Sequence, residues 1–243
     1  MHRYIDECFQ RNNWLFLGKQ EYNTDRVRMK MPRFSIAILI LLYLVAQGTA
    51  IEKPQYEIVH TESDFEVRLY TQSTWMAAPV TEISFQKATL DGYHRLFQYT
   101  QGANLNWTRI PMTVPVVTSI VPGAGPFQSS AYSVLFYLPV EFQDDPPVPI
   151  PELHLTPYGW SSHCVAVREF SGYANDDNIV SEAEALAVSL SRSTWTNTTA
   201  AESKFSYSIA QYDSPFHFIG RVNEVWADVN ATGGCEYSNI ATY

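Results

Sequence analysis

The sequence predicts an α+β fold of two strand–helix–strand halves, and three observations predict it. Short runs of alternating apolar and polar residues flank each of two segments with helical period. The order strand–helix–strand occurs twice within residues 51–243. The halves meet at Asp144-Asp145-Pro146-Pro147-Val148-Pro149-Ile150-Pro151, whose prolines make a stiff, extended crossing.

In the first half, Tyr56-Glu57-Ile58-Val59 and Phe65-Glu66-Val67-Arg68-Leu69-Tyr70 read as strands around the turn Glu62-Ser63-Asp64. Trp75 to Val80 reads as a third strand. An amphipathic helix then begins near Ser84 and closes at Gly102, near Asn104. Phe85, Ala88, Gly92, Leu96 and Tyr99 form its core stripe. Leu90, Tyr93 and Phe97 form a second apolar stripe, bordered by His94. Lys87, Asp91, Arg95 and Gln98 fill the remaining arc and are expected to face water. One sheet needs only one stripe. The second must cover something else: more core, a loop, a partner or a flat apolar ligand. Thr108 to Val121 is β-rich, with prolines that suggest an edge or bulge. Pro122 to Pro126 is a loop, and Tyr132 to Val140 is a strongly apolar strand.

The second half predicts strands at Leu153 to Thr156 and Cys164 to Glu169. A helix follows, capped by Asn175 or Asp176 and running through Ile179, Ala183, Leu186, Ala187 and Leu190. It has a single apolar stripe, with Ser181, Glu184 and Ser191 on its other face. Strands return at Phe205 to Tyr212 and Ile219 to Val229, around the turn Asp213-Ser214-Pro215-Phe216.

The first fifty residues differ from this body. They hold seven of the 16 Lys+Arg and four of the 25 Asp+Glu, leaving 9 basic against 21 acidic residues in 51–243, a net −12. An acidic body without basic patches argues against nucleic acid and against charge-driven binding to anionic membranes. Arg26, Arg28, Lys30 and Arg33 precede the apolar run Phe34 to Ala46, which is followed by Gln47-Gly48-Thr49-Ala50. The run has the length of a signal-peptide core and falls short of the ~20 residues of a membrane span. Gly48 and Ala50 are the small residues that signal peptidase requires. Residues 31–50 therefore read as a signal peptide cleaved after Ala50, 1–30 as an N-terminal extension, and 51–243 as one domain that ends up secreted or in the endomembrane lumen. An uncleaved signal anchor that keeps the protein membrane-attached is the alternative. An internal start at Met29 or Met31 would leave the extension untranslated. Three N-x-S/T sequons, at Asn106, Asn197 and Asn230, agree with secretion and glycosylation. Once 1–50 are removed, Cys164 and Cys235 are either the one intramolecular pair or two buried thiols.

Catalytic signatures are missing from the sequence: there is no G-x-S-x-G, H-E-x-x-H, P-loop or Rossmann glycine pattern. His60, His94, His154, His163 and His217 include no helical pair suited to a metal, and the cysteines show no zinc spacing. We expect no enzyme. Glu66, Asp91 and Glu224 are the acids to inspect if that expectation fails.

Several stretches, in order and spacing, resemble the SOUL haem-binding protein family from about Tyr56 to Val229. They are Tyr93-His94-Arg95-Leu96-Phe97-Gln98-Tyr99 with Gly102 and Asn104, Met112-Thr113-Val114-Pro115-Val116, and Pro122-Gly123-Ala124-Gly125-Pro126-Phe127. Further on come Pro146-Pro147 with Pro149, Phe170-Ser171-Gly172-Tyr173, Tyr212-Asp213-Ser214-Pro215, and Arg221-Val222-Asn223-Glu224-Val225-Trp226. The resemblance implies a distorted β-barrel of two pseudo-twofold halves flanked by two helices. It also implies a monomer that binds haem or another tetrapyrrole in a shallow apolar groove beside the first helix. Positions aligning with groove contacts in the cytosolic branch are Leu90, Tyr93 and Phe97, with Arg95 or Lys87 as a propionate partner. A vertebrate branch has a histidine proposed as axial iron ligand where this chain has Leu69, which cannot ligate iron. Binding without a protein axial ligand is therefore expected, with His94 as the nearest alternative donor.

Overall fold

The computed structural model describes residues 51–121, 130–195, 206–214 and 217–229. The expectations for residues 1–50, Pro122–Phe127, Asn197, Asn230 and Cys235 lie outside them. Ala50–Tyr243 form a compact unit of their own, and both buried apolar clusters lie wholly inside it. That unit carries its own core.

Among the described residues nine strands and two α-helices follow in chain order. They are β1 (Tyr56–Thr61), β2 (Glu66–Tyr70), β3 (Ser73–Glu82), α1 (Phe85–Thr100), β4 (Val116–Ile120), β5 (Ser130–Tyr137), β6 (Thr156–Trp160), β7 (His163–Ser171), α2 (Ile179–Arg192), β8 (Tyr207–Gln211) and β9 (Val222–Val229). All neighbouring strands pair antiparallel, in the order β1-β2-β7-β9-β8-β4-β5-β3-β6. The sheet curls into a half-barrel. Apart from the extra edge strand β1, its order is symmetric about the β8–β4 pair. The unit β3-α1-β4-β5 on one side answers β7-α2-β8-β9 on the other, as the two-half reading requires.

The period of two decides what each sheet face buries. In β2, Val67 and Leu69 face the helices, while Arg68 and Tyr70 face away from them. In β7, Cys164 and Ala166 face the helices and Val165 and Val167 face away. The helix-side core joins strand residues to Phe85, Ala88, Leu96 and Tyr99 of α1 and to Ile179, Leu186 and Leu190 of α2. The other face is aromatic. Trp160 lies 4.6 Å from Trp75 and 6.1 Å from both Tyr70 and Trp226, ring centroid to centroid.

That aromatic face also holds a buried ion pair. Arg68 donates to Glu224 at 2.9 Å, and Tyr212 and Trp226 each donate to the other Glu224 oxygen at 2.7 Å. Burial works against the Arg68 charge, but Glu224 and Tyr70 outweigh it and move its pKa upward. Glu224 is thus saturated by fixed donors.

Three local expectations are corrected. The strand expected at Leu153–Thr156 is a 3-10 turn, Pro151–Leu153, and pairing begins only at Thr156. β6 contains Pro157 and Gly159, residues an edge strand tolerates and a central strand does not. The β-rich reading of Thr108–Val121 shortens to Val116–Ile120, after a cis Val114–Pro115 bond. Finally, α2 starts after Asn178; Asn175, one of the two expected caps, accepts the Asp177 and Asn178 N–H groups at its entry, while Asp176, the other, caps α1 instead.

Candidate ligand groove

Helix α1 is positioned at its start and along its core stripe. Ser84 Oγ accepts the Lys87 N–H at 3.3 Å, an N-cap bond. The Ser84 hydroxyl donates to Asp176 at 2.7 Å, and the Phe85 N–H donates to the same carboxylate at 2.5 Å. A carboxylate at a helix N-terminus is favoured by the exposed N–H groups there. The loop before α2 thereby holds the start of α1. The expected core stripe of Phe85, Ala88, Gly92, Leu96 and Tyr99 is buried. At Gly92 the helix comes so close to β5 that an added Cβ would stand 2.3 Å from Val134 Cγ2.

This close seating leaves the next face of α1 beside a groove of about 520 Å³. The volume lies within the range of small-molecule pockets, roughly 300–1,000 Å³. Gln86, Thr89, Leu90 and Tyr93 line it from α1, and Met112–Val114 with Val116 from the segment entering β4. Tyr173, Ala174, Gln211–Ser214 and Arg221 form the far wall, and Ile51 completes it. The groove is mostly apolar, with one carboxylate, Asp213, and one guanidinium, Arg221. Among the described residues no histidine or cysteine lines it.

Arg221 is 4% exposed. It donates to the carbonyls of Ser214 (2.6 Å), His217 (2.9 Å) and Asp213 (3.2 Å) and lies 4.4 Å over the Tyr173 ring. Its Nε is buried with no hydrogen-bond partner, and no carboxylate among the described residues is in salt-bridge contact with it. Asp213 accepts from the Val222 N–H at 2.7 Å and contacts His217 Nδ1 at 2.6 Å. The Val222 bond, helped by His217 and Arg221, holds its carboxyl below the usual carboxylate value against the opposing effect of desolvation.

The residues singled out in the sequence divide between this groove and elsewhere. Leu90 and Tyr93 line it. Phe97 does not, but stacks on Tyr93 with centroids 6.0 Å apart and planes at 27°. Burial raises the Tyr93 pKa, which keeps its phenol protonated at neutral pH. His94 is exposed and outside the lining. Arg95 does not face water as expected. It donates to Pro79 O at 2.8 Å and Leu153 O at 3.4 Å, and it pairs with Asp91 at 3.4 Å. At 100° per residue it stands roughly 170° from the midline of the groove face, so it braces the opposite flank of α1. Lys87 is exposed and also outside the lining. Leu69 is buried in the helix-side core and does not line the groove.

Glu66 and Asp91 are occupied by Arg68 and Arg95, and Glu224 by the buried network; none of the three lines the groove. No group of three or more His, Cys, Asp or Glu among the described residues could hold a metal. Cys164 is disulfide-bonded, and Cys8 and Cys235 both lie outside the described residues. Arg221 lies in a segment that carries the family resemblance, but no sequence pattern marks it as a groove residue. A lone arginine just before a strand carries no sign that the ten-residue connection from β8 will place it at a helix groove.

Comparison with known proteins bears on this arrangement. A family model described as SOUL heme-binding protein matches residues 51–228. Heme-binding protein 2 of Homo sapiens is 30% identical over 185 residues, covering 74% of this chain and 87% of that protein. Heme-binding protein 2 of Mus musculus is 30% identical over 189 residues, covering 75% and 89%. Heme-binding protein 1 of Xenopus tropicalis is 30% identical over 163 residues, covering 67% and 82%. The half-barrel, its two helices and this run of matched sequence have one reading: the chain belongs to the SOUL haem-binding protein family.

Proposed function

We propose that this protein binds haem or a related tetrapyrrole in the groove beside α1, as a carrier or buffer without catalysis. The observation that carries the reading is the pairing of an apolar groove of about 520 Å³ with one buried guanidinium, Arg221, on its wall. A tetrapyrrole has that chemistry: a flat apolar ring with carboxylates at one edge. Leu90, Tyr93 and Met112 would take the ring, with Phe97 holding Tyr93 in place. Arg221 would take a carboxylate, the role first given to Arg95. Among the described residues no histidine lines the wall, so none of them would give iron an imidazole. Binding would then rest on apolar burial, roughly 25 cal/mol per Å², and metal-free porphyrin would bind as well.

The reading extends to location. Signal cleavage after Ala50 would deliver residues 51–243 to the secretory lumen or the exterior. The exposed Asn106 is open to glycosylation there. The test is a titration of the mature protein with hemin and with protoporphyrin, followed by tryptophan quenching. Quenching by neither at micromolar ligand removes the reading. A second reading, a protein-interaction module that has lost its ligand, is favoured by Phe218 and Ile219, which are 73% and 85% exposed beside the groove turn. A protein that co-purifies without Soret absorbance would select it.

A further inference from the structure

Among the described residues the groove lining holds one cationic side chain, whereas the ligand class proposed for it carries two carboxylates. Ile51 is also in the lining, and it is the residue that signal cleavage after Ala50 would make the first. We propose that the processed N-terminus is part of the binding site: the α-ammonium of Ile51 supplies a second cation for the acidic edge of the ligand. This rests on the tetrapyrrole reading above and adds a maturation step to it.

Four observations carry it. Ile51 is 62% exposed yet belongs to the groove wall, so a ligand there meets this residue. Its neighbour fixes it in place: Glu52 O accepts the Val114 N–H at 3.0 Å, and Glu52 Oε2 accepts the Val140 N–H at 2.8 Å. The first bond ties the terminus to Val114, itself a lining residue. No side-chain atom of an isoleucine lies more than roughly 5 Å from its own nitrogen, by standard bond lengths. A ligand touching Ile51 is therefore within reach of its amine. Finally, the sequence before it ends Gln47-Gly48-Thr49-Ala50, with small residues where signal peptidase needs them.

The chemistry of the cut changes the charge at this spot. In the uncut chain the Ile51 nitrogen is a neutral amide. Hydrolysis of the Ala50–Ile51 bond consumes one water and leaves a carboxyl on Ala50 and an amine on Ile51. A free α-amine titrates near 7.7–8.0, so it is mostly charged at neutral pH. Removal of the signal peptide then completes the site, and an unprocessed chain has a one-cation groove.

The full chain, expressed in a eukaryotic secretory host, gives the natural product for the test. Its N-terminus is sequenced, and the α-amine of one portion is acetylated near pH 6.5, where lysine ε-amines stay protonated. A single added acetyl is confirmed by mass. Both portions are titrated with hemin and with protoporphyrin dimethyl ester, whose carboxylates are masked. Loss of one charge-assisted contact predicts about tenfold weaker hemin binding after acetylation. Ester binding and thermal midpoint are expected to be unchanged, since Ile51 is exposed. Equal hemin affinity in the two portions, or a mature terminus other than Ile51, overturns this inference and leaves the groove reading standing. Failure of both portions to bind either ligand overturns the groove reading, and this inference with it.

Discussion

The Arg221 guanidinium lies 4.4 Å over the Tyr173 ring, and both residues stand on the wall of the groove beside α1. This stacking, with three bonds to backbone carbonyls, holds a cation in an apolar setting with its Nε unused. Arg221→Met is expected to weaken hemin binding about tenfold or more, the worth of one charged contact. Protoporphyrin dimethyl ester should lose much less. The same change removes donors from three carbonyls, so urea unfolding should show a loss of about 1–3 kcal/mol. The ratio of the two ligand affinities separates the site effect from the stability effect.

Leu90 and Phe97 were one stripe in the sequence, but only Leu90 lines the groove. Leu90→Asp should reduce hemin affinity at least tenfold. It should leave the unfolding free energy within about 0.5 kcal/mol, as for exposed positions. Phe97→Asp should act more weakly, because it reaches the groove only through the Tyr93 ring. Tryptophan-quenching titrations of the two variants and their double mutant rank the contributions.

Gly92 sets the depth of α1 on the sheet. Its missing side chain lets Val134 of β5 approach to where a Cβ would stand only 2.3 Å away. Gly92→Ala must push the helix or Val134 aside, at a cost of about 1–3 kcal/mol, despite alanine's better helix propensity. Denaturant unfolding should show the loss. An unchanged midpoint would mean that the helix sits higher than described.

Glu224 and Arg68 form a buried pair at 2.9 Å. Removing one partner leaves the other charge unpaired, so Arg68→Met alone should cost about 3–5 kcal/mol. Replacing both, as Arg68→Met with Glu224→Gln, should cost less than the sum of the two single changes. A double-mutant cycle in urea measures the coupling.

Asp213 gives the acid side of stability a specific contributor. Its folded pKa lies below the ordinary 3.8, chiefly through the Val222 N–H bond. The unfolded chain therefore takes up the proton first as pH falls. The stabilisation is present above about pH 4 and is lost as pH drops through the lowered folded value. Asp213→Asn should flatten the urea midpoint between roughly pH 5 and 2 relative to the parent protein, with little change in slope at higher pH.

The sequence made α1 legible down to its stripes, because a 3.6-residue period over four turns is a strong pattern. The paired halves were legible for a similar reason: each repeats strand, helix and strand in one order. β6 was misplaced, since Pro157 and Gly159 hide an edge strand whose side chains need not alternate. Asp176 was read as a cap for the helix that follows it. Its carboxylate instead crosses to a helix 91 residues earlier, and no local pattern encodes such a contact. Arg95 and Arg221 show the same limit at the groove. Helical position made Arg95 look free, yet carbonyls of Pro79 and Leu153 claim it. Arg221 reaches the groove only because the β8–β9 turn folds back on itself.

Tyr212 has neighbours on both sides of the far wall. The residue lines the groove, and its hydroxyl donates to Glu224, which is itself gripped by Arg68 and Trp226. To move Tyr212 is to strip a bond from a buried carboxylate, so that wall is stiff. The α1 wall is different: Leu90 is half exposed, and Tyr93 leans on Phe97, which is itself open to solvent. The groove is thus a mould with one hard side and one compliant side. If a tetrapyrrole binds here as proposed, ring substituents that vary along the α1 edge would be accommodated by side-chain adjustment, and those that vary toward Tyr212 would meet a fixed surface and be refused.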